Sequence, residues 1–201
     1  MYYGANVRFE GETVAIPSEL QSLMAGVSWH AKLPGGFAPP RFEDLRLLRI
    51  SHWSLDGAQS KGELIVAKRV AENVLRVFEQ IYAVRFPIAK MNLMHTYGGS
   101  DLGSMDDNNS SGFNARLIAG TQVASRHAYG LAIDINPLQN PYVTRGNVQP
   151  AAAKPYVNRA LQRPGMLRPR GPVVRAFANI GWVWGGQWRT IKDYHHFELQ
   201  A

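Results

Sequence analysis

The chain has 201 residues, 45% of them hydrophobic and 10% aromatic, with a formal net charge of +7 and no cysteine. That length supports one well-buried core, and the absence of any run of eighteen apolar residues leaves no candidate for a membrane-spanning helix. Without cysteine there are neither disulfides nor thiolate metal sites, so strong metal ligands must come from the six histidines and the carboxylates.

The opening residues, Met1 to Glu10, lack a basic segment followed by an apolar one, so no signal peptide is expected here. A surplus of positive charge draws a surface toward polyanions, either nucleic acid or an anionic bacterial cell wall. The basic residues are spread along the chain, with a mild concentration from Arg159 to Arg175, and no nucleic-acid motif accompanies them. Nucleic acid is therefore not expected as the main partner.

In chain order, residues 1–44 are rich in Gly, Pro and isolated apolar residues, and read as an arm packed on a single domain that runs from 45 to 201. Leu45 to Trp53 reads as a strand, and Asp56-Gly57 as a turn. Ser60 with Glu63 has the spacing of a capping box. Leu64, Ala67, Val70, Val74, Val77, Phe78 and Ile81 follow at helical spacing, which predicts one long helix from there toward Pro87. Met91, Leu93, His95 and Tyr97 alternate as in a half-buried strand, where His95 reads as an inner-face histidine rather than a ligand. Gly98 to Gly112 reads as a long polar loop, and Phe113 to Ile118 as a short strand carrying Arg116. Pro137 to Gly171 is a second irregular region with a possible helix between Pro150 and Leu161. Pro172 suits the first turn of a helix with Val173, Ala176, Phe177 and Ile180 on its inner face, stopped by Gly181. Residues 182–188 and 196–199 read as a final pair of strands. These elements predict an α+β class: a small, mostly antiparallel sheet with flanking helices.

The chemistry concentrates in Ser125-Arg126-His127-Ala128-Tyr129-Gly130-Leu131-Ala132-Ile133-Asp134 and in Asp193-Tyr194-His195-His196-Phe197-Glu198. A turn at Tyr129-Gly130 feeding a strand from Leu131 to Ile135 can bring His127 and Asp134 together. An ionised carboxylate between Ile133 and Ile135 is costly unless it is paired or bound to a metal; the competing reading is a strand-end partner for an arginine. A catalytic zinc takes three protein ligands and needs a nearby base that is not itself a ligand. His127, Asp134 and one of His195 or His196 supply the three, and Asp193 supplies the base. In an extended segment the two adjacent histidines point to opposite faces, so only one reaches the metal and the other is expected at the rim or surface.

Ser125-x-His127-x-x-Gly130-x-Ala132-x-Asp134 and Asp193-x-x-His196-Phe197 resemble the zinc D-Ala-D-Ala metallopeptidases of the VanY type and the related L-alanyl-D-glutamate peptidases of phage endolysins. The likeness extends to His52-Trp53-Ser54-Leu55-Asp56-Gly57, to Ser104 through Arg116, to Asn136-Pro137 and to Gly181-Trp182-x-Trp184-Gly185-Gly186-x-Trp188. It thus covers roughly residues 45 to 199. The resemblance implies a hedgehog/DD-peptidase-like fold, a Zn2+ held by His127, Asp134 and His196, and Asp193 as general base. It implies Arg116 at the oxyanion and Ser125 near bound substrate. Spacing to Asp193, together with Phe197, favours His196 over His195, which stands where relatives usually have Gln or Pro. An arginine paired with Asp106 or Asp107 is the bland reading of Arg116.

The function implied is hydrolysis of an amide bond in the stem peptide of bacterial peptidoglycan, by a monomer acting at the anionic wall after export or release at lysis. A non-catalytic zinc-containing binding module, as in the hedgehog signalling domain, is the alternative. A complete ligand set beside Asp193 favours the enzyme.

Overall fold

The computed structural model describes residues 8–26 and 39–200. Its centre is an antiparallel hairpin of β2 (Leu45–Trp53) and β3 (Gln59–Ala67), paired along all nine residues, with β1 (Gly11–Val14) added to the free edge of β2. The strand predicted over Leu45 to Trp53 and the turn at Asp56-Gly57 are both present; Gly57 takes φ +83°. The hairpin is buried on both faces. Leu48, Ile50, Leu64 and Val66 face one core, while Leu45, Leu47 and Ile65 face a smaller one with Ile16, Met24, Leu93 and Phe113. A strand covered on both sides loses clean alternation, which is why this stretch shows a mixed pattern.

The long helix expected from Ser60 is corrected. Residues 59–67 are strand β3, and the helix α2 runs only over Ala71–Ala83, entered through a 3-10 turn at Lys68–Val70. Ser60 lies opposite His52 and Glu63 opposite Arg49, with 3.1 Å between Arg49 Nε and Glu63 Oε1. Pairing with β2, together with the consecutive apolar run Leu64-Ile65-Val66, overrides the local capping signal. From Val74 onward the predicted inner face holds: Val74, Val77, Phe78 and Ile81 are buried between the hairpin and a later helix, α4 (Pro172–Asn179). On α4, Val173, Ala176 and Phe177 are buried and Gly181 closes the helix at φ +80°, as the sequence predicts.

Two further expectations change. The strand over 88–97 shrinks to β4 (Lys90–Met91), which pairs in parallel with β5 (Asn109–Ser110), and Met94–Tyr97 is a 3-10 turn. The polar loop from 98 to 112 contains a short helix, α3 (Asp101–Asp106), whose cap hydroxyl at Ser100 accepts from the Gly103 amide. The strand expected over residues 113–118 is reduced to an isolated bridge between Leu117 and Ala124, and the segment is otherwise held by backbone hydrogen bonds such as those from Phe113 to the Ile65 carbonyl and from Asn114 to the His127 carbonyl.

The second sheet is antiparallel, ordered β6 (Ala132–Asp134), β11 (His196–Leu199), β9 (Trp182–Trp184), so the predicted final pair of strands forms around the 132–134 segment. A third sheet sets β10 (Lys192–Asp193) against β7 (Tyr142–Thr144) and β8 (Asn147–Gln149). The region 137–171 is thus a hairpin followed by a 3-10 turn at Ala151–Tyr156, where a helix was possible from sequence. Helices and mainly antiparallel sheets make this an α+β protein, as expected. Among the described residues no helix is long and apolar enough to cross a membrane.

Candidate metal centre

The second sheet carries the site. In its register His196 lies directly opposite Asp134, so one ligand pair is a cross-strand pair, whose side chains stand on the same face. His127 arrives from a 3-10 turn, Arg126–Tyr129, just before β6. Ser125 caps this turn, its hydroxyl accepting from the His127 amide at 3.3 Å. Gly130 ends the turn at φ +67°, and a Cβ there would stand 2.5 Å from the Ala67 amide nitrogen, so only glycine lets the turn lie against the hairpin.

The three side chains predicted as ligands converge. His127 Nε2 lies 3.1 Å from Asp134 Oδ2 and 3.2 Å from His196 Nδ1, and His196 Nδ1 lies 2.9 Å from Asp134 Oδ1. All three residues are buried, and one donor atom from each falls within 4.8 Å of the others. The outward ring atoms are tied down. His127 Nδ1–H donates to the Gly112 carbonyl at 2.6 Å, and His196 Nε2 meets Glu198 Oε2 at 3.2 Å. Each ring is thereby turned so that its other nitrogen faces the cluster, the usual device for orienting a metal-ligating imidazole. Gly112 must also be glycine: a Cβ would stand 2.4 Å from the Ile65 carbonyl oxygen.

The electrostatics show what the cluster is built to hold. Burial disfavours an ionised Asp134, yet His127, His195 and His196 hold its carboxyl well below the usual carboxylate range. Burial likewise opposes a charged His196, but its bonds to Asp134 and Glu198 outweigh that and raise it to about 10. The bond from His196 in turn holds Glu198 below its ordinary value. A buried carboxylate surrounded by imidazoles is balanced by cationic charge at its centre, supplied either by protons or by a metal ion. Two nitrogens and one carboxylate oxygen form a donor set that fits zinc.

Asp193, the expected base, sits on β10 with its side chain 14% exposed and is linked to the cluster through His195. Its Oδ1 lies 3.0 Å from His195 Nε2. The rim or surface position expected for the second histidine is corrected: His195 is only 3% exposed, donates from Nδ1 to the Asn140 carbonyl at 2.7 Å, and stands 4.0 Å from Asp134 Oδ2. The strand β11 begins only at His196, so the alternation that would throw His195 outward does not apply one residue earlier. Burial opposes a charge on His195, but Asp193 and Asp134 prevail and raise it to about 9.

Arg116 is partnered by Asp101, with Nε 3.0 Å from Oδ1, rather than by Asp106 or Asp107; Asp107 instead takes Lys90 and Tyr97, both at 2.6 Å. Arg116 is linked to the site through the backbone, since Ser125 donates to its carbonyl. His95 stays outside the cluster and borders a narrow cavity of about 20 Å³ with Leu93, Gly112 and Phe113. Sequence reasoning missed Glu198, although residues two apart on a strand share a face and His196-x-Glu198 offered that signal. The carbonyls of Gly112 and Asn140 left no signal, because every residue carries one.

Residues 119–199 match the family model described as D-alanyl-D-alanine carboxypeptidase. Neither the curated proteins nor the solved structures give a match. The matched span contains His127, Asp134, Asp193 and His196, and over it the chain is similar to the VanY-like D-alanyl-D-alanine carboxypeptidases.

Proposed function

We propose that this protein is a zinc-dependent peptidase that hydrolyses an amide bond in the stem peptide of peptidoglycan, either D-Ala-D-Ala or L-Ala-D-Glu. The observation that carries the reading is the buried convergence of His127, Asp134 and His196, with Asp193 linked to it through His195, inside the span that matches the peptidase family.

His127 through Nε2, His196 through Nδ1 and the Asp134 carboxylate would hold the zinc. Bound there, zinc supplies Lewis acidity that polarises the scissile carbonyl and acidifies the attacking water. The chain's own residues do the rest. Asp193 is positioned to take the proton of the attacking water and return it to the leaving amine nitrogen. His195, fixed between the Asn140 carbonyl and Asp193 Oδ1, keeps that carboxylate from turning away. Arg116 provides a permanent positive charge for the oxyanion; Asp101 holds it by Nε, which leaves Nη2 uncommitted. Ser125, at the base of the His127 turn, is assigned beside bound substrate. The excess of positive charge brings the monomer to the anionic wall, outside the cytoplasm or after lysis.

The test is Asp193→Asn, which keeps shape and removes the base. Zinc content should stay at wild-type level, while release of products from purified muropeptides, followed by mass spectrometry, falls about a hundredfold to ten-thousandfold. The identity of the released fragments assigns the bond. If the zinc-loaded wild type cleaves no stem peptide, or Asp193→Asn cleaves as fast, the peptidase reading is wrong and a non-catalytic zinc-containing binding module takes its place.

A further inference from the structure

The positive charge of this protein is not evenly placed. Its lysines and arginines are split equally, eleven in residues 1–107 and eleven in residues 108–201, but twelve of the fifteen carboxylates lie in the first part. From Asn108 to Lys192 the sequence has one carboxylate, Asp134, and that one is buried in the metal centre. The asymmetry lies in the acids, so it escapes a reading that follows only the basic residues.

The structure shows the consequence. In the first part four cations pair with carboxylates, Arg41 with Glu43 and Asp44, Arg49 with Glu12 and Glu63, Lys61 with Glu10, and Lys90 with Asp107, and twelve carboxylates offset the eleven cations of that part as a whole. In the second part Arg145, Lys154, Arg163, Arg170, Arg175 and Arg189 are all exposed, and among the described residues none meets a carboxylate. Arg145 and Lys154 ride on segments tied to the strand of Asp193, and the others lie on the neighbouring stretches of the acid-free part. Arg145 is at the tip of the β7–β8 hairpin, whose first strand pairs with the strand of Asp193, and Lys154 lies in the turn that follows β8. Arg159 stands 4.4 Å over the ring of Tyr194, and Arg163 stands 5.3 Å over the ring of Tyr156. Arg175 donates to the carbonyl of Arg170 at 2.7 Å, which gathers those two cations at the start of α4.

We infer that this acid-free surface beside the metal centre docks a phosphodiester polymer of the cell envelope that carries no bases. The inference rests on the peptidoglycan reading for its location and deepens it by naming a second partner. Unpaired cations on one part of a surface attract regularly spaced phosphates, and each phosphate neutralised releases counterions. Single-stranded nucleic acid is recognised by stacking bases on open aromatic rings. Here Tyr194 and Tyr156 each have a face covered by an arginine, and among the described residues Tyr129, on another segment, is the only aromatic residue among the large exposed hydrophobics. Among the described residues the charge pattern is present on this part without a stacking platform, which favours a base-free phosphodiester.

Two triple variants test this, R163Q/R170Q/R175Q and R145Q/K154Q/R189Q, against K68Q/R69Q/R76Q, which removes the same charge from exposed positions of the first part. Binding is measured by co-sedimentation with insoluble walls across a salt series. The walls are used intact, or after hydrofluoric acid has removed their phosphodiester polymer, and thermal melts confirm folding. The expected result is salt-sensitive binding to intact walls that falls more than tenfold in extracted walls. Each of the first two variants should lower the slope of log affinity against log salt by about two, and the third should leave it unchanged. Equal losses in all three variants would mean that net charge alone matters, and unaltered binding to extracted walls would remove the polymer; either overturns the inference. Competition by single-stranded DNA at lower phosphate concentration than a base-free polyol phosphate overturns it in favour of nucleic acid. Hydrolysis of soluble muropeptides is read separately: its absence with localised wall binding intact refutes only the peptidase reading, and the converse refutes only the docking surface.

Discussion

The Glu198 contact gives the most direct test of how the candidate metal centre is assembled. Glu198 stands two residues after His196 on the same face of β11, 3.2 Å from His196 Nε2, with its side chain 20% exposed. Removing it leaves all three predicted ligands in place but frees the ring to rotate and to carry its proton on the wrong nitrogen. Losing such an outer partner costs about 10- to 100-fold in metal affinity, or about 1.4 to 2.7 kcal/mol. Glu198→Ala should fall near the upper end, because the buried ring nitrogen is left without an acceptor. Glu198→Gln keeps a neutral acceptor that is roughly half as strong as a charged one, and should fall near the lower end. The assay is competition for zinc against a chelator of known affinity at fixed pH, with His196→Ala as the reference for a lost ligand and a thermal melt of each apo form as the folding control. If Glu198→Ala binds zinc as tightly as wild type, His196 is oriented by something other than its carboxylate partner, and the derivation given for the centre fails.

Four further outcomes follow from the same geometry. His127→Ala, Asp134→Ala and His196→Ala should each largely abolish zinc binding while His195→Ala retains it; elemental analysis showing the reverse for the two adjacent histidines exchanges their roles. Zinc loading at pH 8 should release roughly one to two protons, because without metal His196 stays charged up to about 10 and must lose its Nδ1 proton to become a ligand. Calorimetry in buffers of different ionisation enthalpy counts these protons, and a count of zero refutes the charge assignment. The same raised value means that apo stability contributed by His196 is full below about 6.5 and declines as pH rises toward 10, so apo denaturant midpoints should fall over that window. Gly112→Ala should destabilise the fold by about 1 to 3 kcal/mol, since its Cβ would meet the Ile65 carbonyl, and should weaken zinc binding by moving the acceptor of His127; an unchanged midpoint in urea would contradict this.

Much of the candidate site is legible in the sequence because its parts are local. The His127-to-Asp134 spacing needs only a capped turn, a glycine at positive φ and a strand, and each leaves a mark: Ser125, Gly130, and the run Ala132-Ile133-Asp134. Strand β2 and the helix α4 are legible for the same reason. Where reading fails, a distant segment decides. Ser60 and Glu63 carry the spacing of a helix cap, but a nine-residue partner strand claims them, and no local rule weighs that partner against the cap. The 88–97 segment alternates like a strand yet finds only two residues to pair with, so the rest coils into a turn. The burial of His195 depends on the Asn140 carbonyl, fifty-five residues earlier in the chain.

The register of β11 links fold to chemistry most tightly. With His196 opposite Asp134 and Phe197 opposite both Ile133 and Trp184, each step along the strand alternates between the metal centre and the apolar core. Phe197 is fully buried and stacks on Phe177 of α4 at 4.2 Å, so α4 and the core behind it fix which residue faces the cluster. A slip of one residue would turn Phe197 into the centre and His196 into the core, burying an imidazole without its carboxylates and setting the largest apolar side chain of the strand among the charged groups of the centre. Both penalties oppose the slip. The choice of His196 over His195 as the inward histidine is therefore made less by the histidines than by the phenylalanine that follows them, and the centre is held in register by packing on the face of the sheet that never touches it.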